Sequence, residues 1–203
     1  MKDKITATAV DLFLRLGFKS VTMDDIANNL CISKKTLYKY FKNKHALVEE
    51  SAGALHASYF KIIDTITAQE FNPIKENFEI KKVLKKMFQN ASSSPIYQLK
   101  KYYPKIHDKT MQKEKILFSG CLQKNIEKGI EQGYYRVDVT INLATQFYFS
   151  LASSIHENTI ENNKIPKLEQ EVLAYHTRAI ATKKGILELE NQLKNQVKKM
   201  GLN

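Results

Sequence analysis

Residues 31–41 read "CISKKTLYKYF". Ile32, Leu37 and Phe41 belong in a core, yet Lys34, Lys35 and Lys39 share the same short run. A helical wheel at about 100° per residue separates the two sets. Leu37 and Phe41 fall together on the packed side. Lys35, Thr36 and Lys39 fall on the opposite side, with Tyr38 and Tyr40 on the flanks. Lys34 lies nearer the packed side by angle, but from the first turn its stem can swing outward. Ser33 is a good N-cap for this helix. Ile32 and Leu37 occupy the two positions of a hydrophobic staple, which sets the angle at which the chain enters it. The run therefore predicts a two-turn helix over about 34–41 that packs on one side and presents ammonium groups on the other.

The flanks extend this reading. Upstream, Thr22 can cap a short helix with Ile26, Ala27 and Leu30 on one face, and Asp24 and Asp25 sit in its first turn, where the helix dipole favours them. Cys31-Ile32-Ser33 makes a three-residue turn. From Cys31 to Val48 there are five lysines, one histidine and no acid. A short helix, a tight turn and a short basic helix with aromatic flanks is a helix-turn-helix. The second helix would enter the major groove and the first would lie across the backbone. Lys35 and Lys39 can donate to guanine O6 and N7, and Thr36 can meet a base edge. Tyr38 and Tyr40 are better placed for phosphates. Thr22 and Lys44, each at a helix start, add phosphate contacts, and the cap Ser33 joins the candidates. A solvated basic face would show the lysines too, but not the agreement of caps, staple and turn length.

Further out, Ile5, Ala9, Leu12, Phe13 and Leu16 recur at helical spacing over about 2–16, and Gly17 follows as a stop. A long helix starts near Lys44 and is ended by Pro73. Helices over about 75–91, 96–103, 106–132, 139–161 and 166–183 follow, bounded by "SSSP" at 92–95, Pro104, Gly133 and Pro166, and a terminal one over 186–199 carries Ile186, Leu189, Leu193 and Val197. The fold class is all-α. Seven glycines and four prolines in 203 residues, with 43% apolar residues, fit helices with a real core.

The formal net charge of +11 points to nucleic acid, an anionic membrane surface or an acidic ligand. Cys31 and Cys121 are far apart and form no CxxC, which suits a reducing cytoplasm. The N-terminus does not read as a signal peptide, and no run of about 18 apolar residues predicts a transmembrane helix. The histidines (His45, His56, His107, His156, His176) show no metal-ligand spacing, and no nucleophile or phosphate-cradling motif appears. We therefore expect no metal, no cofactor and no enzyme activity.

"TMDDIANNLCISKKTLYKYFKNKHAL" at 22–47, preceded by "GFKSVT" at 17–22, resembles the DNA-binding signature of the TetR family of bacterial transcriptional regulators. The specific likeness covers about the first 50 residues. It implies an N-terminal three-helix DNA-binding domain, 1–46, and a larger helical effector-binding and dimerisation domain, 47–203. It implies a homodimer that reads a palindromic operator in double-stranded DNA and is released by a small-molecule effector, as a repressor would be. DNA contacts carry over to Thr22, Lys34, Lys35, Thr36, Tyr38, Lys39, Tyr40 and Lys44. Two positions depart from the family's pattern. Cys31 stands where the turn usually has glycine, and Lys35 replaces a small residue.

In the C-terminal part, 106–132 and 139–161 carry apolar faces that include Ile116, Leu117, Leu122, Ile126 and Ile130, then Leu143, Phe147, Leu151 and Ile155. The family likeness makes the helices over 139–161 and 166–183 a four-helix dimer interface, although packing within one subunit gives the same pattern. Candidate lining for an effector pocket is aromatic: Phe60, Phe88, Tyr97, Tyr102, Tyr103, Phe118, Phe147 and Tyr148. Residues 81–115 hold ten lysines against Asp108 and Glu114, either a solvated face or a preference for an anionic effector. The competing reading is a helical ligand-binding or adaptor protein whose basic head meets an anionic membrane or an acidic partner.

Overall fold

Local signals set most helix ends. A computed structural model describes residues 1–91, 94–158, 161 and 163–199, without the side chains of 197–199. They form α1 (Lys2–Leu16), α2 (Met23–Asn29), α3 (Lys34–Tyr40), α4 (Lys44–Thr67), α5 (Pro73–Met87), α6 (Pro95–Tyr102), α7 (Pro104–Glu131), α8 (Ile141–Asn158), α9 (Ile165–Ile180) and α10 (Lys183–Lys199). The chain is all-α. Among the described residues the only β-type pairing is an isolated bridge between Tyr135 and Ala181. The expected end of the helix over 139–161, part of the "SSSP" boundary and the Val197 side chain fall outside the described residues.

Side-chain caps recur. Asn43 Oδ1 accepts from Ala46 N–H at 2.9 Å, Asn72 Oδ1 from Lys75 N–H at 2.9 Å and Ser94 Oγ from Tyr97 N–H at 3.2 Å. Each satisfies a donor that the first helical turn leaves open. The prolines behave differently from expectation. Pro73 and Pro104 do not merely end what precedes them. They are the first residues of α5 and α7, as Pro95 is of α6. Proline has no N–H to lose there, and its fixed φ suits the first turn. α5 consequently begins two residues before the predicted start, and it ends at Met87 rather than near 91.

Contacts divide the chain into two compact units. The first comprises Met1–Lys61, Met87–Glu114 and His156–Ile165. The second comprises Ile62–Lys86, Lys115–Ile155 and the chain from Pro166 onward.

The core of the first unit gathers Ile5, Ala9, Leu12 and Phe13 of α1, Ile26 and Ala27 of α2, Leu37 and Phe41 around α3, and Leu47 and Val48 of α4. Leu99 of α6 and Ile106 of α7 join the same cluster, with Tyr103 packed against it. Phe13 and Phe18 stack at 5.0 Å between ring centroids, and Tyr103 meets Phe18 edge-on at 6.5 Å. Gly17 ends α1 with φ 92° and ψ 146°. That conformation strains any residue with a Cβ. A Cβ there would also lie 2.9 Å from Gln98 Oε1, the atom that accepts the Phe18 N–H at 2.7 Å.

The core of the second unit holds Ile74, Phe78, Leu122, Ile126, Tyr135, Tyr148, Leu173 and Leu189. A buried polar network runs through it. Asn125 Nδ2 donates to Glu76 Oε1 at 2.6 Å and to the Pro73 carbonyl at 3.0 Å, and Lys128 Nζ pairs with Glu76 Oε2 at 2.8 Å. Glu76 is only 3% exposed, so both partners are needed to offset its desolvation.

Candidate nucleic-acid interface

The interface starts from two caps. Thr22 caps α2 by accepting the Asp25 N–H at 3.1 Å, and the Asp25 carboxylate accepts the Thr22 N–H at 2.8 Å. This reciprocal box holds the Asp25 carboxyl below its ordinary pKa, chiefly through the Thr22 backbone donor. Ser33 caps α3 by accepting the Thr36 N–H at 3.0 Å.

Between them, the turn closes by two backbone bonds. Cys31 N–H donates to Asn28 O at 3.1 Å and Ile32 N–H to Ala27 O at 3.0 Å. Counted from the α2 C-cap Leu30, these are the two bonds of a Schellman motif, with Cys31 at its left-handed position. Its φ is 53°, where a Cβ costs about 1–2 kcal/mol. Ile32 then packs against the core that holds Leu37.

α3 divides as the wheel predicts. Leu37 is fully buried and Phe41 nearly so. Lys35 and Lys39 are exposed, and Tyr38 and Tyr40 stand out on the flanks. The other candidates are already engaged. The Thr36 hydroxyl lies 2.8 Å from Ser33 Oγ, so a base edge would be met by its methyl or after that bond is exchanged. Lys34 Nζ pairs with Asp24 Oδ2 at 2.6 Å across the turn. The hydrogen bond and charge of Asp24 hold the ammonium of Lys34 above its ordinary pKa. Lys44 Nζ donates to the Lys19 carbonyl at 2.9 Å. Partial burial lowers the Lys44 pKa, and the charge of Asp25 opposes that shift.

Asp24 and Lys19 are the neighbours that reading the sequence did not find. Asp24 lies ten residues before Lys34 and Lys19 twenty-five before Lys44, and no spacing rule connects such pairs.

The eight candidate pocket aromatics are divided. Phe60, Phe88, Tyr97, Tyr102 and Tyr103 belong to the first unit, and Phe118, Phe147 and Tyr148 to the second. Tyr103 packs on the head core, and Phe60 lies 4.8 Å from the His56 ring. Tyr148 is 4% exposed and stacks on Phe118, whereas its neighbour Phe147 is 64% exposed. A cleft of about 560 Å³ in the second unit is lined by Lys75, Glu79, Glu188, Asn191, Gln192 and Asn195, and by none of these aromatics. Among the described residues no three His, Cys, Asp or Glu side chains come together as a metal site. No described helix is long and apolar enough to cross a membrane.

Comparison with known proteins points the same way as this geometry. The family model for "Bacterial regulatory proteins, tetR family" matches residues 5–51, which run from α1 through the start of α4. Over 51 residues the chain is 43% identical to IcaR, the negative transcriptional regulator of the icaADBC biofilm operon in Staphylococcus aureus. That alignment covers 25% of this chain and about a quarter, 27%, of the length of IcaR. The structure superposes on that of a transcriptional regulator from Cytophaga hutchinsonii with a TM-score of 0.74 at 18% identity, covering 89% of this chain and 98% of that one. It also superposes on a gamma-butyrolactone receptor with a TM-score of 0.67 at 12% identity, covering 95% and 94%. At these identities the superpositions speak for the fold.

Proposed function

We propose, for a chain that belongs to the TetR family of bacterial transcriptional regulators, that it is a ligand-responsive repressor. It acts in the cytoplasm and binds a palindromic operator in double-stranded DNA as a homodimer, and a small-molecule effector releases it. Residues 1–46 read the DNA, and 47–203 bind the effector and dimerise. The observation that carries this reading is α3. It buries Leu37 in the head core and leaves Lys35 and Lys39 exposed, on a helix capped at Ser33. In a major groove those two lysines would donate to guanine edges. Thr22, Ser33, Lys34, Tyr38, Tyr40 and Lys44 would line the flanking backbones, and Lys34 would exchange Asp24 for phosphate.

Two features support the homodimer. α8 exposes Leu143, Phe147 and Leu151 at a four-residue spacing, and α9 exposes Leu168 and Tyr175. Large apolar side chains in such rows mark a surface that another chain covers, and a two-fold protein matches a palindrome. Release by a small molecule accords with the receptor named for gamma-butyrolactone that shares this fold.

The test is selection of bound sequences from random duplex DNA by the wild type and by Lys35→Ala and Lys39→Ala. Each substitution should relax preference at one position of each half-site and cost about 1–3 kcal/mol of discrimination there. Retention of the wild-type preference at every position by both variants would refute the reading.

A further inference from the structure

The second lysine-rich stretch does not end in solvent alone. Part of it meets the head. Lys19, in the link between α1 and α2, holds its ammonium 5.3 Å from the centre of the Tyr102 ring. Lys101, in the last turn of α6, holds its own 5.4 Å from the same ring and 5.8 Å from that of Tyr97. Two like charges thus gather on one phenol. The neighbouring Lys100 is neutralised by Glu157 at 2.6 Å. Among the described residues no carboxylate pairs with Lys19 or Lys101. Cation–π attraction offsets part of their mutual repulsion, and an external anion would offset the rest.

The position of this pair identifies the anion. The Lys19 carbonyl is the acceptor for Lys44 at the start of α4, and Lys44 in turn feels the charge of Asp25, the partner of Thr22 in the α2 cap. Hydrogen bonds and charge contacts therefore link the α2 cap, through half-buried Lys44 and the Lys19 carbonyl, to the Lys19 and Lys101 ammonium groups around Tyr102. The cations along this strip are the ammonium groups of Lys44, Lys19 and Lys101, compact charges without the forked donors of an arginine. Such a strip suits a regular array of phosphates, which duplex DNA supplies at one charge per about 1.7 Å of axis. We infer that Lys19, Lys101 and Tyr102 form a backbone clamp that grips phosphates outside the half-site read by α3. This rests on the DNA-binding reading above and lengthens its footprint without adding to its sequence preference.

The test uses the full chain and a duplex selected by the wild type from random sequence. One version is trimmed to the selected half-sites, and one carries a further helical turn, about 10 base pairs, on each side. Binding is followed by fluorescence anisotropy over a salt series. The double variant Lys19→Gln, Lys101→Gln should bind the trimmed duplex as the wild type does. On the extended duplex its slope of log affinity against log salt should fall by about two per protomer. The charge reversal Lys101→Glu should weaken the extended complex further. Both side chains are exposed, so an unchanged melting curve is expected. Equal behaviour of wild type and variant on both duplexes would overturn the clamp, and so would equal losses on both. Loss of binding to phosphatidylglycerol vesicles with none to DNA would overturn it in favour of a membrane surface. A wild type that selects no sequence at all would instead remove the DNA-binding reading, and the clamp with it.

Discussion

α3 and α8 treat their apolar residues in opposite ways. α3 turns Leu37 inward and leaves its solvent side to lysine and tyrosine. α8 buries Thr145 and Tyr148 on one side and exposes Leu143, Phe147 and Leu151 on the other. α9 repeats the pattern, with Leu173 and His176 inside and Leu168 and Tyr175 outside. A surface of ammonium groups is complete in water and attracts an anion. A row of leucines and aromatics is complete only when covered. On the reading proposed above, one region meets DNA and the other a second chain.

The substitution with the largest expected effect attacks the second region. In the proposed two-fold contact, Phe147→Lys would remove an apolar side chain from each copy and add like charges. At about 1.5–3 kcal/mol for each buried phenylalanine, dimerisation should weaken by several kcal/mol while the protomer keeps its helicity. Sedimentation equilibrium measures this, and an unshifted dimer would show that α8 is not the contact. Next, Leu37→Ala should destabilise the head by about 2–5 kcal/mol, because a fully buried side chain leaves a cavity. Denaturant unfolding should show the loss, and DNA binding should go with it. A near-neutral result would mean that α3 is not anchored as described.

A third experiment probes the inner side of α9. His176 is buried against the Tyr148 ring at 4.6 Å, its Nε2 has no hydrogen-bond partner among the described residues, and burial pushes its pKa down to about 4. The neutral form is the one that folds. As pH falls from about 6.5 toward 4, the unfolded chain takes up a proton that the folded chain refuses, so stability falls by on the order of 3 kcal/mol. Urea unfolding on both sides of that window should show the slope, and His176→Gln should flatten it. An equal slope in both proteins would acquit His176. The smallest effect belongs to the turn. Cys31→Gly should stabilise the head by up to about 1 kcal/mol, since glycine relieves the left-handed strain but frees the unfolded chain. A lower melting temperature would show that the cysteine side chain contributes more than its strain costs.

What the sequence makes legible follows the same division. In the head, each decision is local. Thr22 and Ser33 cap helices within three residues, Gly17 stops one, and Leu37 with Phe41 marks the only apolar side of α3. Each is a choice between unlike alternatives. In α8 both sides are apolar, so helical periodicity finds two faces but cannot say which turns inward. Phe147 and Tyr148 are adjacent, about 100° apart on the helix, and one is exposed while the other is buried. Long-range polar pairs such as Lys34 with Asp24, or Gln98 with the Phe18 amide, have no sequence signature at all. The prolines misled in a definite way, because a residue that cannot continue a helix is well suited to begin one.

The apolar cluster under α3 has a consequence for biosynthesis. Leu99 and Ile106 belong to it, and Gln98 closes the corner at Gly17. A nascent chain that has emerged only as far as α4 still lacks those side chains, and the Phe13–Phe18 stack stays open to water. The part of the molecule translated first therefore completes its core only when α6 and α7 have joined it, and a fragment cut after α4 should be sticky rather than a working miniature.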